Sequence, residues 1–178
     1  MRWLLSATLM FLTSAGNAAP LLLDSDNRVL GYYANWQNPT SREYATSLTG
    51  YRFLFERLTG RLDSYANYLE VSYQSADCTG PMMVTDYVPP GYVMPAYGGF
   101  DATHPAPLVY IPQVPVKVIA VAMNSFVSHL GGCQTENRGP ANFFIALPND
   151  PAITGMSSSI FPAPARVASQ LVFYDGFD

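Results

Sequence analysis

Two cysteines, two histidines and a scatter of carboxylates are the groups in this 178-residue chain that could do chemistry. Cys78 and Cys133 lack the CxxC spacing used by redox dithiols and zinc sites, which disfavours thiol exchange and metal ligation. In an oxidising compartment two cysteines allow one intramolecular disulfide; the competing reading is a pair of free thiols. His104 and His129 lie in Pro/Gly-rich segments, where either could act as a general base beside a serine or Asp101. Unpartnered histidines in such segments are more commonly surface residues. Gly155-Met156-Ser157-Ser158-Ser159 approaches the GxSxG nucleophile elbow but lacks its second glycine and the strand-to-helix setting, so a loop is expected. Asp77, Asp86, Asp101, Glu136 and Asp150 are spread over expected loops. A glycosidase needs two carboxylates facing across a cleft, and nothing in the order of these residues sets one up. Walker and dinucleotide glycine patterns are absent. No catalytic residue, metal site or cofactor is expected.

Contact chemistry is better represented. The segment Tyr87 to Phe100 (YVPPGYVMPAYGGF) puts aromatic rings on a Pro/Gly-rich stretch. Rings held this way make flat, rigid surfaces suited to a sugar, a peptide or a protein partner. Tyr87, Tyr92, Tyr97 and Phe100 are therefore the expected ligand-contacting residues, the competing reading being a lid over a β core. Asp24-Ser25-Asp26-Asn27 has the look of a calcium loop. The EF-hand pattern puts an oxygen ligand fifth and glycine sixth, where this chain has Arg28 and Val29, so a hairpin turn is expected instead.

The elements that must position these residues read as short strands. Leu21 to Leu23 and Arg28 to Tyr33 flank the Asp-rich turn as a hairpin. Ala34 to Thr49 reads as a loop with one helical turn at Ser41 to Leu48. Tyr51 to Leu58 reads as a strand with one apolar side, and Arg61 to Asp63 pairs back through Thr59-Gly60. Tyr68 to Ser75 has the cleanest alternation, followed by a turn at Ala76 to Gly80 and a strand at Pro81 to Thr85. Residues 86–106 are read as an irregular aromatic loop. Leu108 to Ile111 and Val116 to Met123 are strands separated by Pro112 and Pro115. Val127 to Ala141 reads as a polar excursion, Phe143 to Leu147 as a short strand, residues 148–166 as an irregular Pro-rich arm, and Ala168 to Tyr174 as a last strand. With 13 glycines and 15 prolines, turns are frequent and helices short. The expectation is an all-β fold: an antiparallel sandwich or meander with long Pro/Gly-rich loops, one domain over residues 19–178.

The N-terminus sets the compartment. Met1-Arg2 is a short positive end, Trp3 to Thr13 an apolar run, and Ser14 to Ala19 small or polar. This is the layout of a signal peptide, residues 1–18, cut after Ala18. The run is too short for a spanning helix, which takes roughly 20 apolar residues. Val114 to Val127, the next most apolar stretch, is interrupted by Pro115, Lys117 and Asn124. No transmembrane segment is expected, and the location is periplasmic or extracellular. A net charge of −4 and a single lysine, Lys117, argue against a nucleic-acid partner. There is no polybasic cluster for anionic lipid either.

Tyr73 to Pro81 (YQSADCTGP), with Gly131-Gly132-Cys133 downstream, resembles a motif of uncharacterised exported proteins of Gram-negative bacteria. In these, an alternating strand runs into an Asp-Cys-Ser/Thr-Gly turn. Leu21 to Gly31 is similar to their opening hairpin, and Phe173 to Asp178 (FYDGFD) to the short Asp-Gly-Phe-acidic tails of some of them. The resemblance covers about a fifth of the chain and implies export, one disulfide and β architecture; it brings no activity. The expected function is thus an exported, non-enzymatic binding or structural domain whose partner is a protein or carbohydrate. A hydrolase acting on polysaccharide or peptide, and a subunit of a fibre, are the alternatives.

Overall fold

The computed structural model describes residues 19–34, 42–63, 71–96, 105–127 and 132–168. The expected signal peptide, the C-terminal tail and the loop positions Tyr97, Phe100, Asp101, His104 and His129 lie outside the described residues.

Strands β1 (Leu21–Leu23) and β2 (Val29–Ala34) form the expected antiparallel hairpin. Asp24 makes its turn: the Oδ1 atom accepts from the backbone N–H of Asp26 and of Arg28, both at 2.9 Å. Asn27 takes the left-handed conformation that Asn tolerates, with φ 65°. The loop expected over Ala34 to Thr49 is instead in part a strand, β3 (Arg42–Thr46), with no helical turn. It pairs residue for residue with β4 (Arg52–Glu56), from Arg42 with Glu56 to Thr46 with Arg52. Its polar composition hides it, because the backbone ladder of a strongly apolar neighbour recruits it.

β4 also departs from expectation, in that both of its faces are buried. Phe53 and Phe55 join one apolar cluster, with Leu22, Val93 and Tyr110, while Leu54 joins a second, with Val84, Tyr92, Met94 and Ile111. The period-2 alternation of side chains thus feeds two cores, one on each side of the sheet. β5 (Arg61–Asp63) pairs back onto β4 as expected. β6 is short, Ser72–Tyr73, and β7 is Met82–Thr85. Inside the expected aromatic loop lies a strand, β8 (Tyr92–Pro95), buried throughout and paired with β9 (Leu108–Ile111). The run Tyr-Val-Met-Pro between Gly91 and Ala96 is a buried strand because apolar neighbours cover both of its faces.

β10 (Lys117–Val127) and β11 (Cys133–Pro148) form a long, irregular hairpin. The polar excursion expected over Val127 to Ala141 is therefore largely strand. Residues 133–142 are almost all exposed, so they carry no alternation from which a strand could be read. Ala120, at φ 53°, sits at one of the register shifts.

The strand order is β10-β6-β7-β11-β9-β8-β4-β3-β2-β1-β12, with β5 on β4. β10 also pairs with β11, so β6, β7, β11 and β10 close on themselves around Met83, Met123 and Phe143. All pairings are antiparallel except β4 with β8, joined in parallel at Arg52 and Tyr92.

The Pro-rich arm after β11 opens with a single helical turn, α1 (Pro151–Thr154), capped by Asp150 and ended by Gly155 at φ 72°. It then crosses β5, where Ile160 bridges Arg61, and ends in β12 (Arg166–Ala168) against β1. This last strand starts two residues earlier than expected. Among the described residues no helix is long and apolar enough to cross a membrane.

Candidate functional site

Cys78 and Cys133 are joined in a disulfide, with Cα atoms 5.8 Å apart. The bridge ties the turn after β6 to the first residue of β11. Ser125, fully buried on β10, fixes the same turn: its Oγ accepts from the Cys78 N–H at 2.9 Å and donates to the Ser75 carbonyl at 2.7 Å. Asp77 closes the turn on the outside, accepting from the Thr79 hydroxyl at 2.7 Å. Hydrogen bonds from the Thr79 and then the Ser75 side chain hold the Asp77 carboxyl below the usual carboxylate range. A lowered folded-state value means the stabilisation is fully present above the ordinary Asp value, about 3.9, and is lost as pH falls through the lowered one. Melting curves from about pH 5 down to about pH 2 should therefore show wild type above Asp77→Asn at the start and converging with it in acid. A constant difference would remove the carboxylate from the turn's stability.

The other expected carboxylates among the described residues are each engaged. Asp86 pairs with Lys117 at 3.0 Å, Glu136 with Arg138 at 2.7 Å, and Asp150 caps α1. Glu43 takes the Arg57 guanidinium through both oxygens, with Nη2 to Oε1 at 2.6 Å and Nη2 to Oε2 at 2.7 Å. That guanidinium lies 5.9 Å from the centre of the Tyr33 ring, and burial, followed by the Glu43 charge, raises the Tyr33 hydroxyl above its ordinary value. Bidentate geometry makes this a clamp across β2, β3 and the turn after β4. Among the described residues no group of three His, Cys, Asp or Glu side chains could hold a metal ion.

Of the expected aromatic contacts, Tyr92 is only 1% exposed, in the core against β9, so it cannot meet a partner at the surface. Tyr87 is 57% exposed. It follows Asp86, whose ion pair with Lys117 brings the β7–β8 connection against the start of β10. Beside Lys117 stand Val116 and Ile119, 64% and 66% exposed, and Val114 is more exposed still. Two hydrogen bonds pin this region: Ile145 N–H to the Val116 carbonyl at 2.9 Å, and Asp86 N–H to the Asn142 carbonyl at 3.1 Å. Tyr87 and Val116 are thus the chain neighbours of the two ion-pair residues, and Ile119 lies two positions beyond Lys117 on β10, all three exposed. Sequence reasoning singled out Tyr87 but missed Val116 and Ile119, whose apolar run reads as core.

A cavity of about 220 Å³ lies at the other end of the strand order, between the β1–β2 turn and the arm after α1. Its lining includes Asp24, Arg28, Leu30, Met156, Phe161 and Pro162. Comparison with known protein families, with curated proteins and with solved structures finds no match to this chain.

Proposed function

We propose that this chain is an exported binding domain that presents the Tyr87–Val116–Ile119 face to a protein partner. The observation that supports this reading is the exposure of large apolar side chains on a backbone held by ladder hydrogen bonds and a disulfide. Scattered exposed apolar residues are ordinary; Tyr87, Val116 and Ile119, exposed within two positions of the two residues of one ion pair, have the composition of an interface core. Valine and isoleucine offer no hydrogen bonds to sugar hydroxyls, which favours a protein surface over a glycan. Export rests on the leader-like residues 1–18, the cysteine pairing and the resemblance of the Asp-Cys-Thr-Gly turn to exported bacterial proteins.

The test is site-specific photo-crosslinking in the producing cell from position 119, with position 58 as a control. Leu58 is 72% exposed and lies on the turn after β4. One discrete protein adduct is expected from 119 and none from 58. The paired variant Tyr87→Ala with Val116→Asp should abolish the adduct and weaken binding of the purified partner by roughly tenfold or more, as removal of an interface anchor does. Identical patterns from both positions, or glycan binding lost with Tyr87→Ala while no protein adduct forms, would overturn the assignment.

A further inference from the structure

We propose that the Tyr87–Val116–Ile119 face binds a second copy of this chain, the open edge of β10 pairing antiparallel with its own counterpart about a two-fold axis at Val118. This names the partner of the protein-binding face and rests on that reading.

β10 has two sides. Along one it pairs with β11 from Lys117 to Val127; on the other, among the described residues, β6 meets it only at Ser125 and Phe126. Exposure agrees with an open edge at the start of the strand. Val116 and Ile119 are largely exposed, and Lys117 and Ala120 are exposed beside them. Such an edge is a template for another strand.

The ladder to β11 fixes which backbone groups face outward. The Val116 carbonyl accepts from Ile145 N–H at 2.9 Å. In a planar trans peptide the carbonyl and the N–H that follows it point opposite ways, so Lys117 N–H points away from β11. Ala120 N–H donates to Oδ1 of Asn142, on β11, at 3.3 Å, so the Ile119 carbonyl also points away. Strand alternation turns Val118 toward its partner Phe143 and sends the Lys117 carbonyl and the Ile119 N–H outward. The edge thus presents the N–H and C=O of Lys117 and of Ile119.

That spacing is self-complementary. Pairing Lys117 with Ile119 of the second copy, and Ile119 with Lys117 of the second copy, satisfies every one of these outward groups. Val118 then stands opposite Val118 of the second copy as a non-hydrogen-bonded pair, the kind whose side chains come closest. Each Lys117 stem lies against an isoleucine and not against another lysine. Pro115, which has no N–H, and the register shift at Ala120 end the ladder on either side. A two-fold pair bounded in this way closes as a dimer instead of propagating.

The test begins with sedimentation of the purified exported chain from about 1 μM to about 1 mM, a span that covers weak association. A monomer–dimer equilibrium is expected, and the adduct formed in the cell from position 119 should have the mass of two chains. Hydrogen exchange at the Lys117 and Ile119 amides should slow roughly tenfold or more from the dilute to the concentrated end, while the Val118 amide, already facing β11, changes little. Ile119→Pro removes an outward donor that β11 does not use. It should weaken the dimer roughly tenfold or more beyond Ile119→Ala, which keeps the donor and loses the side chain. Should Ile119→Pro not fold, the wild-type exchange pattern decides by itself. A chain that stays monomeric, with an adduct to a different protein from position 119, would overturn self-pairing and leave the binding face standing. A monomer with no adduct beyond the position-58 control would overturn both. A dimer whose Lys117 and Ile119 amides stay unprotected, weakened equally by proline and alanine, would overturn the strand pairing.

Discussion

Replacing Cys78 and Cys133 together by serine is expected to destabilise the chain by about 4 kcal/mol, the chain-entropy value for a loop of this length. The bridge spans 55 positions of sequence, and the segment it closes contains β7, β8, β9 and β10. Without it, the unfolded chain gains all the conformations in which those four strands drift from β6. The native state loses less, because Cys78 N–H still bonds to Ser125 and position 133 still pairs with Val127. The effect should therefore appear mainly as a more expanded unfolded state. For a chain of this size that corresponds to a drop in Tm of roughly 8–16 °C, with a larger urea m-value in the variant. Urea melts of oxidised wild type, reduced wild type and the double serine variant provide the measurement. A loss below about 1 kcal/mol would mean that the closed ring of β6, β7, β11 and β10 holds itself together and the staple is incidental.

The parts of this fold legible in the sequence share a physical cause: each had a local signal that matched its tertiary setting. The Asp24 to Asn27 turn and its two short apolar flanks needed nothing remote to become a hairpin. Arg61 to Asp63 folds back on β4 through the four-residue turn Arg57-Leu58-Thr59-Gly60, which contains the expected Thr59-Gly60. The segments that misled were those whose structure is imposed by neighbours. β3 is polar and is a strand because β4 offers a free ladder. The outer half of β11 is wet on both faces, so no alternation was available to read. β8 failed in the opposite sense: aromatic, glycine and proline residues suggested an exposed loop, yet apolar cover on both sides buries Tyr92, Val93 and Met94 together. The site divides in the same way. Tyr87 was legible because a turn keeps it outside. Asp24 was legible as a turn residue through Oδ1, whereas the burial of Oδ2 depends on an arm more than a hundred residues away and leaves no local trace.

That arm is fastened at Gly60, and Gly60→Ala is expected to cost about 2–5 kcal/mol, adding left-handed strain to overpacking. Gly60 has φ +68°, and a Cβ there would lie 2.1 Å from the Phe161 carbonyl oxygen. The obstacle is backbone and cannot rotate away. Nor can the two chains simply part, because Phe161 N–H donates to the Gly60 carbonyl at 2.8 Å and Leu62 N–H to the Ser159 carbonyl at 2.8 Å on the same seam. Gly80→Ala is the matched control. Gly80 has φ +93° with nothing within 4 Å of an added Cβ, so it should show only the conformational part, about 1–2 kcal/mol. Urea midpoints of the two variants separate strain from clash. Equal losses would show that the seam gives way freely. If Gly60→Ala instead releases the arm without global unfolding, limited proteolysis should cut between residues 155 and 165. Such a variant should also lose the Asp24 cavity, since Phe161 and Pro162 form its wall. Arm docking and the burial of that carboxylate are thus one structural event, and a single added methyl group at position 60 tests both.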